Sequence, residues 1–392
     1  MQGDKAALTR SILDAALVEL ADVGQADFAV ERVAKNAYCS VGSVYERWRD
    51  RGELLADLAR GPSMVDITTR LDEAGGAREA ISWVLDDGRP QLLLAGEILL
   101  AGHTNATVRE PALALWNAIA SGLRRNLPED MTWYVATYAV GSALLGALNI
   151  DTATHVSERV RWLLDACDDA TSTQVHIGRA TSTAVVDIPV VPPPSRTDDV
   201  SRSLVAAAQE LLSDRGAGAA TTRDIAAGAG VTTGALYRRY EGKSRLLSDV
   251  LVTQLEPDRY EWTWSLVQAL ASADPLAGSA AVLANRMIEV AQDLPAQQVL
   301  LQVGVAARND PGLRELVADR IRVAHEARTD MVGHFVEAGI LRDDIPSDVL
   351  AWGLQVIPVG VRATLPLGVP LDGDVVTGAS RALLGASVAR SA

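Results

Sequence analysis

The sequence predicts an all-α protein built from two similar halves. Aromatic residues make up only 4% of the 392 residues, and Ala, Leu and Val dominate without the alternation typical of strands, which favours helices. A pattern of matching residues also recurs at a distance of 192 positions. Because single domains usually contain about 100–200 residues, we expect at least two units, each with its own core.

The internal repeat aligns residues 10–55 with residues 202–247 without a gap. The matched pairs are Arg10 with Arg202, Ala16 with Ala208, Gly24 with Gly216, Ala34 with Ala226, Ala37 with Ala229, Gly42 with Gly234, Tyr45 with Tyr237, and Leu54-Leu55 with Leu246-Leu247. A weaker similarity pairs the tetrapeptide that ends at Pro111 with the one that ends at Pro311. Self-similarity of this kind indicates a duplicated structural unit, so we interpret the chain as a tandem duplication.

Domain boundaries follow from the repeat and from one linker. Residues 171–200 combine Thr/Ser-rich stretches with the run Pro192-Pro193-Pro194, which lacks the amide hydrogens that a helix needs. The predicted domains are residues 1–60 and 61–170, the linker 171–200, and residues 201–255 and 256–392. Each half thus has a short N-terminal domain followed by a longer one.

A three-helix pattern is clearest in the second copy. Residues 201–214 place leucines and alanines on one face, and Gly216 can provide the left-handed stop. A short helix is predicted over residues 223–229 and another over residues 233–240, with Thr232 as the N-cap of the latter. Two short helices joined by a three-residue turn and braced by a third form a helix-turn-helix, whose second helix enters a major groove.

The residues that define this pattern are Arg202, Ala208, Gly216, Thr222, Ile225-Ala226, Ala229-Gly230-Val231, Gly234, Leu236-Tyr237, Tyr240, Lys243 and Leu246-Leu247. This set resembles the DNA-binding domain of the TetR family of repressors. The resemblance implies a three-helix DNA-binding domain in each half, followed by a larger helical domain that binds a small ligand and dimerises. Outside the repeated segments the chain fits the family only in size and helical character.

The resemblance also implies which residues contact DNA. In the second copy they are Arg223, Thr232, Thr233, Gly234, Tyr237, Arg238, Arg239 and Lys243. In the first copy they are Val41, Gly42, Tyr45, Arg47, Arg49 and Arg51. Arginine can donate two hydrogen bonds to guanine, whereas Lys and Tyr can hold phosphates, so these residue types suit double-stranded operator DNA.

The first copy departs from the family pattern. Tyr38 replaces the turn glycine, and Trp48 stands where the family has Phe or Tyr. Glu31 and Glu46 bring negative charge toward the phosphates, although a carboxylate can accept a hydrogen bond from cytosine. DNA binding by the first copy therefore stays open.

The net charge of −14 is unusual for a nucleic-acid-binding protein, because phosphate contacts need Lys and Arg. Residues 1–60 carry a charge of −2 and residues 196–255 carry +1, so the acidic excess lies outside the two predicted DNA-binding segments. The overall charge neither supports nor excludes DNA as a partner.

The larger domains are expected to bind a small, apolar effector. Candidate pocket residues are Trp83, His103, Trp116, Trp133, Tyr138, Trp262, His325 and Trp352. For each of them, an ordinary role in the helical core is the alternative interpretation.

The family resemblance implies dimerisation through the last two helices of each half. These are predicted over residues 131–149 and 156–168, and over residues 347–367 and 375–389. We predict that the halves pair within one chain as a pseudo-dimer, while association of two chains stays open. About 30 flexible linker residues span roughly 30 Å, which is comparable with the ~34 Å between adjacent half-sites.

Other classes of protein find little support in the sequence. A Gly-rich phosphate loop, a GxSxG motif and a Cys/His metal cluster are missing, so we expect no enzyme, no cofactor and no metal. We find no signal peptide and no apolar run near the roughly 20 residues of a membrane span, which predicts a cytoplasmic protein without membrane contact.

The leading hypothesis is a repressor that an effector releases from an asymmetric operator. The alternative is a TetR-derived ligand- or protein-binding module that has lost operator binding in one or both halves.

Overall fold

A computed structural model describes residues 2–150, 155–171, 198–270, 272 and 274–388 of the chain. All regular elements within these residues are helical, apart from one isolated antiparallel bridge between Leu341 and Val388. The predicted all-α class is therefore confirmed. Most of the predicted linker, residues 172–197, lies outside the described part of the chain.

The first half, residues 2–171, is described as ten helices. Their bounds are α1 (Gln2–Asp27), α2 (Val30–Asn36), α3 (Val41–Tyr45), α4 (Arg51–Ala59), α5 (Pro62–Glu73), α6 (Ala77–Leu85), α7 (Arg89–Thr104), α8 (Ala106–Arg124), α9 (Glu129–Gly146) and α10 (Val156–Thr171). A kink divides α1 at Gly24, whose φ of 72° lies in the region that favours glycine. A residue next to the helix caps α4: the Asp50 carboxylate accepts a hydrogen bond from the backbone amide of Glu53.

The second half, residues 198–388, is described as nine helices and one short 3₁₀ turn. Their bounds are α11 (Asp199–Ala219), α12 (Thr222–Gly228), α13 (Thr233–Tyr237), α14 (Lys243–Leu270), α15 (Pro275–Gln292), α16 (Leu294–Asn309), α17 (Pro311–Glu337), α18 (Ser347–Thr364), the 3₁₀ turn (Leu365–Leu367) and α19 (Gly373–Gly385). The predicted boundary between residues 255 and 256 falls inside α14, so a continuous helix joins the two parts of this half.

Helix capping corrects the expected register between the two larger domains. Pro311 is the first residue of α17, whereas Pro111 lies inside α8, so these two prolines are not structurally equivalent. The caps themselves correspond instead, because Asn105 caps α8 and Asp310 caps α17. Asp310 also contacts the neighbouring domain, since Ser244 donates a hydrogen bond to its carboxylate.

The last two helices of each half pack against those of the other half. Helices α9 and α18 approach closely at two glycines, since a Cβ on Gly141 would lie 2.6 Å from the carbonyl oxygen of Val356. A Cβ on Gly360 would collide with the backbone of Thr137. Helix α10 packs on α19, where Trp162 Nε1 donates to Ser387 Oγ at 3.0 Å. The four helices predicted to pair are thus in contact.

One helical stretch, Ser347–Leu367, is long and apolar enough by length and composition to cross a membrane. The expectation that no apolar run approaches this length was therefore wrong. The stretch is 61% buried inside the protein, where it packs on α9. The core helix of a globular protein can be equally long and apolar, because its apolar surface is buried against other helices instead of lipid.

Candidate DNA-binding interface and ligand cavities

The second helix-turn-helix, α12 and α13, is built by local interactions. The side chain of Thr232 accepts a hydrogen bond from the amide of Ala235 at 3.2 Å, which confirms the predicted N-cap. Gly230 provides the turn with a φ of 67°. Ile225 and Leu236 are fully buried, so the apolar faces of the two helices are directed into the core and their polar faces outward.

The outward face of the second helix-turn-helix carries most of the predicted DNA-contacting residues. Gly234 is exposed, Tyr237 is 54% exposed, and the hydroxyl of Tyr237 lies 3.4 Å from Thr222 Oγ1. Arg223 and Arg238 are exposed, and within the described part of the chain neither shows a hydrogen bond or ion pair. This surface can therefore offer two guanidinium groups to DNA without breaking an existing contact.

Two other predicted DNA contacts already interact with other groups of the protein. Arg239 Nε donates to Asp198 Oδ2 at 2.6 Å, and this hydrogen bond holds the pKa of the Asp198 carboxyl well below its usual range. Lys243 is half-buried, and its burial lowers the pKa of its ammonium group. Arg239 is exposed but ion-paired, so within the described residues the exposed arginines of this helix-turn-helix that show no partner are Arg223 and Arg238.

The first helix-turn-helix, α2 and α3, keeps the same backbone geometry. Tyr38 occupies the turn with a φ of 54° and is 97% exposed, so its side chain fills no space in the core. Ser40 accepts a hydrogen bond from the amide of Ser43 at 3.0 Å, which reproduces the Thr232 cap. Tyr45 is 46% exposed, like Tyr237 at the matching position. Loss of the turn glycine has thus not removed the turn.

The arginines of the first helix-turn-helix are committed to internal partners. Arg47 Nε donates to Thr9 Oγ1 at 3.0 Å, and Arg49 Nε donates to Glu53 Oε1 at 2.6 Å. Arg51 lies 5.8 Å from the centre of the Phe28 ring, and its burial lowers the pKa of its guanidinium. The basic helix end suggested by the sequence is present, but Arg49 is paired with Glu53 and the other two side chains already have neutral partners.

Exposed carboxylates add to this difference between the two copies. Glu31 and Glu46 are both exposed on the first helix-turn-helix, where the second copy has Arg223 and Arg238. The sequence places these residue pairs at the same offset of 192. Trp48 is buried, and its Nε1 donates to Asp57 Oδ2 at 2.9 Å, so the replacement of Phe or Tyr here serves packing.

Two cavities lie between the halves. The first, of about 90 Å³, we name the aromatic cavity; Trp133, Tyr134 and Trp162 of the first half line it together with apolar residues of the second half. The second, of about 210 Å³, we name the arginine cavity; it is lined by α7 and α9 of the first half and by α14 to α18 of the second. Both cavities therefore have walls from each half.

Five arginines line the arginine cavity, and one carboxylate among its described lining residues faces them. The arginines are Arg286, Arg308, Arg320, Arg328 and Arg362. The carboxylate is Glu97, which forms a buried ion pair with Arg308. The remaining lining is mostly apolar, with leucine, valine, isoleucine, alanine, methionine and proline residues beside Gly304, Gln254 and Gln355. Sequence reasoning missed this cluster because its members are spread over 77 positions with no common spacing.

The predicted pocket residues do not lie together in one cavity. Trp133 lines the aromatic cavity. Trp116 and Tyr138 are buried in the core. The ring of His325 stacks on Trp352 with centres 4.1 Å apart, and neither residue is among the lining of the two cavities.

The remaining candidates lie away from the cavities or outside the described residues. His103 Nε2 lies 2.9 Å from the carbonyl oxygen of Ala363, which joins the two halves, and burial lowers the pKa of His103 to about 4. Trp83 packs beside Gly88. The side chain of Trp262 lies outside the described residues. Core packing, the alternative interpretation, therefore accounts for Trp116 and Tyr138.

Within the described residues, no group of three or more His, Cys, Asp or Glu side chains could hold a metal ion. Cys39 is half-buried and Cys167 is buried, and both are free thiols. Burial raises the pKa of the Cys167 thiol to about 12, so this group is a poor nucleophile.

Comparison with known proteins finds a family match that covers the second helix-turn-helix. Residues 204–250 match the family model for bacterial regulatory proteins of the tetR family. The HTH-type transcriptional repressor Rv1474c of Mycobacterium tuberculosis is 25% identical over 167 residues, which cover 43% of this chain and 82% of that repressor. The HTH-type transcriptional repressor KstR2 of Mycolicibacterium smegmatis is 27% identical over 163 residues, which cover 40% of this chain and 73% of that repressor.

Two solved structures are also similar to this chain. SmeT, the repressor of the Stenotrophomonas maltophilia multidrug efflux pump SmeDEF, shows 19% identity and a TM-score of 0.30, with 39% of this chain and 73% of SmeT covered. The ketosteroid transcriptional regulator KstR2 of Mycobacterium tuberculosis shows 21% identity and a TM-score of 0.31, with 51% of this chain and 99% of KstR2 covered.

Proposed function

We propose that this chain is a TetR-family transcriptional regulator that binds double-stranded operator DNA mainly through its second helix-turn-helix and is released by a small effector. The family is one of regulators and not of enzymes. The observation that carries the proposal is the exposure of Arg223, Tyr237 and Arg238 on the outward face of α12 and α13. A helix presented in this way can enter the major groove, where arginine reads guanine.

The two halves act in this proposal as a pseudo-dimer on one operator. Support comes from the close packing of α9 with α18 and of α10 with α19. Because Glu31 and Glu46 of the first copy stand where the second copy has Arg223 and Arg238, the two domains would read different half-sites. The expected operator is therefore asymmetric, and covalent linkage raises the effective concentration of the second contact.

Effector control rests on the position of the two cavities. A ligand held between the halves can favour one relative position of the helix-turn-helix domains over another. DNA and effector then compete when each prefers a different position. The apolar walls of both cavities favour an effector with an apolar body, and a cytoplasmic location follows as part of the same proposal.

A second candidate function is a ligand- or protein-binding module that has lost operator binding in one or both halves. For the first helix-turn-helix, the exposed Glu31 and Glu46 and the internal pairing of its arginines favour this alternative. Repulsion between carboxylates and phosphates opposes binding at that position.

Selection of the full chain on random-sequence DNA tests the proposal. We expect enrichment of a two-part asymmetric site, with Arg238→Ala removing the preference for one part and Arg47→Ala weakening the other. Arg322→Ala is the matched control, because this exposed arginine lies on α17, away from both domains. Enrichment of a single half-site that only Arg238→Ala removes would assign DNA binding to the second copy alone. A complete lack of enrichment would contradict the proposal and favour the binding module.

A further inference from the structure

We propose that the buried guanidinium of Arg159 binds the carboxylate group of a small molecule. Arg159 lies on α10 of the first half, outside the described lining of both cavities and outside the helix-turn-helix domains. Two sources can supply the carboxylate: a free small anion, or an effector whose apolar body lies in the aromatic cavity. Only the second source rests on the proposed function.

The charge of Arg159 has no counterion in the described part of the chain. The side chain is 1% exposed, its Nε and Nη2 are buried without a hydrogen-bond partner, and among the described residues it forms no ion pair. Arg308, by contrast, is 8% exposed and pairs with Glu97. Burying a charge without an opposite charge beside it costs free energy, so an anion bound at Arg159 stabilises the protein.

The two unpartnered nitrogens form one edge of the guanidinium. Nε and Nη2 each direct an N–H group to the same side of this planar group, so the pair can donate two parallel hydrogen bonds. The two oxygens of a carboxylate accept such a pair, whereas a hydroxyl or an amide offers one oxygen and no negative charge. The edge therefore selects a carboxylate over a neutral polar group.

Polar groups near Arg159 leave its charge uncompensated. The hydroxyl of Tyr138 on α9 is buried without a hydrogen-bond partner; burial raises its pKa, although the charge of Arg159 acts in the opposite direction. His325 on α17 has its pKa lowered by burial and also by the charge of Arg159. Asp348 raises the pKa of His325, but its carboxylate lies beside His155, at 3.7 Å. The Tyr138 hydroxyl can therefore donate a third hydrogen bond to a carboxylate on Arg159.

The proposed site lies one helical turn from the aromatic cavity. Trp162 follows Arg159 by three positions on α10, and Tyr134 precedes Tyr138 by four positions on α9. Both Trp162 and Tyr134 line the aromatic cavity, and residues three or four apart are neighbours on one helix face. The ring centres of Tyr134 and Tyr138 are 6.0 Å apart. A carboxylate on Arg159 can thus belong to a molecule whose apolar body lies in that cavity.

Isothermal titration calorimetry of the purified full chain tests the site without DNA. The probes are formate, butanoate, butan-1-ol and butylammonium, measured at one ionic strength. We expect both carboxylates to bind, and butanoate to bind at least about ten times more tightly than butan-1-ol or butylammonium, because only a carboxylate pairs with the guanidinium edge. Absence of carboxylate binding, or binding of butan-1-ol as tight as that of butanoate, would overturn the proposal.

The two carboxylates distinguish the two sources. Binding of butanoate about tenfold or more tighter than that of formate would identify an effector with an apolar body, because the propyl group is then buried as well. Equal affinity for formate and butanoate would identify a free small anion.

Three variants locate the site. Arg159→Met removes the guanidinium and keeps the apolar part of the side chain, so carboxylate binding should fall at least about tenfold. Arg159→Lys keeps the charge without the paired donors and should weaken binding about three- to tenfold. Tyr138→Phe should weaken it about two- to threefold. The matched control is Arg161→Met, because this exposed arginine lies two positions along α10 and pairs with Asp344. Unchanged carboxylate binding in both Arg159→Lys and Tyr138→Phe would place the site elsewhere and refute the assignment.

Thermal unfolding separates binding from a purely structural role of Arg159. Formate should raise the melting temperature of the wild type and of Arg161→Met in a saturable way, but not that of Arg159→Met. Without carboxylate, Arg159→Met should melt at least as high as the wild type, because it removes a buried charge that has no counterion. A lower melting temperature for Arg159→Met, together with an unchanged effect of formate, would assign the arginine to the fold alone and contradict the proposal.

A DNA-binding assay separates this inference from the proposed function. Release of labelled operator by butanoate, lost in Arg159→Met, supports both. Calorimetric binding without release of DNA supports the carboxylate site and contradicts effector control by this ligand. Release of DNA by butan-1-ol, with no calorimetric binding of either carboxylate, keeps effector control and overturns the carboxylate site.

Discussion

Arg308 from α16 of the second half forms a buried ion pair with Glu97 from α7 of the first half. Burial raises the pKa of Glu97, although the neighbouring guanidinium acts in the opposite direction. Arg308→Met should therefore destabilise the protein by about 3–5 kcal/mol, because Glu97 would stay buried without an opposite charge beside it. Urea unfolding followed by tryptophan fluorescence measures this loss. The double variant Arg308→Met/Glu97→Met should recover most of it, and a loss below about 1 kcal/mol in the single variant would contradict the prediction.

Gly24 allows this ion pair to approach α1. Its φ is 72°, and a Cβ would lie 2.9 Å from both Arg308 Cδ and Glu97 Oε2. Gly216 at the matching position has a φ of 75°, but a Cβ there would meet only the flexible amide of Gln302, at 3.1 Å. Gly24→Ala should cost about 1–2 kcal/mol for the backbone, plus a further cost for displacing the pair. Gly216→Ala should show the backbone cost alone, so equal losses in thermal unfolding would refute a special role for Gly24.

Tyr38 holds a left-handed backbone with an exposed side chain, so replacement by glycine should relieve strain. Left-handed geometry costs a non-glycine residue about 1–2 kcal/mol, and the greater freedom of glycine in the unfolded chain offsets about half of that gain. We expect Tyr38→Gly to stabilise the protein by up to about 1 kcal/mol. The reciprocal variant Gly230→Ala should destabilise it. Differential scanning calorimetry compares the two, and a lower melting temperature for Tyr38→Gly would show that the tyrosine side chain makes a stabilising contact.

His103 should make stability depend on pH. Burial lowers its pKa from 6.5 to about 4, so between these values the unfolded chain binds more protons than the folded one. Its contribution to the free energy of unfolding is therefore complete above pH 6.5 and is lost as the pH falls toward 4, with a total of up to about 3 kcal/mol. His103→Gln should flatten the dependence measured by urea unfolding from pH 7 to pH 4.5. The control His334→Gln changes an exposed histidine and should keep the wild-type slope.

The α9 and α18 contact depends on the lack of side chains at Gly141 and Gly360. Leucine at position 360 would collide with the backbone of Thr137 and force the two helices apart. Gly360→Leu should lower stability by several kcal/mol and disturb the cooperativity of unfolding, because this surface joins the halves. Gly333→Leu on α17 is the matched control, since a Cβ there meets nothing within 4 Å. Similar melting curves for the two variants would argue against a tight interface.

Local features were predictable from the sequence wherever neighbours along the chain determine them. The Thr232 cap and the positive φ of Gly216 depend on residues within one helical turn, and the structure confirms both. Contacts between residues that are distant in sequence could not be predicted in this way. Arg47 finds Thr9 across 38 positions, and the similarity around Pro111 and Pro311 did not mark equivalent helix positions.

The sequence by itself determined the helical class and the helix-turn-helix geometry, because apolar periodicity, caps and turn residues act over a few positions. The tertiary structure alone decided which arginines find partners: Arg238 and Arg239 are adjacent in sequence, but Arg239 donates to Asp198, 41 positions away, whereas Arg238 shows no hydrogen bond or ion pair within the described residues. It also decided that Glu97 meets Arg308, 211 positions away, and that five arginines share one cavity. Such contacts depend on how helices pack, and packing of the whole chain, not local pattern, brings those side chains together.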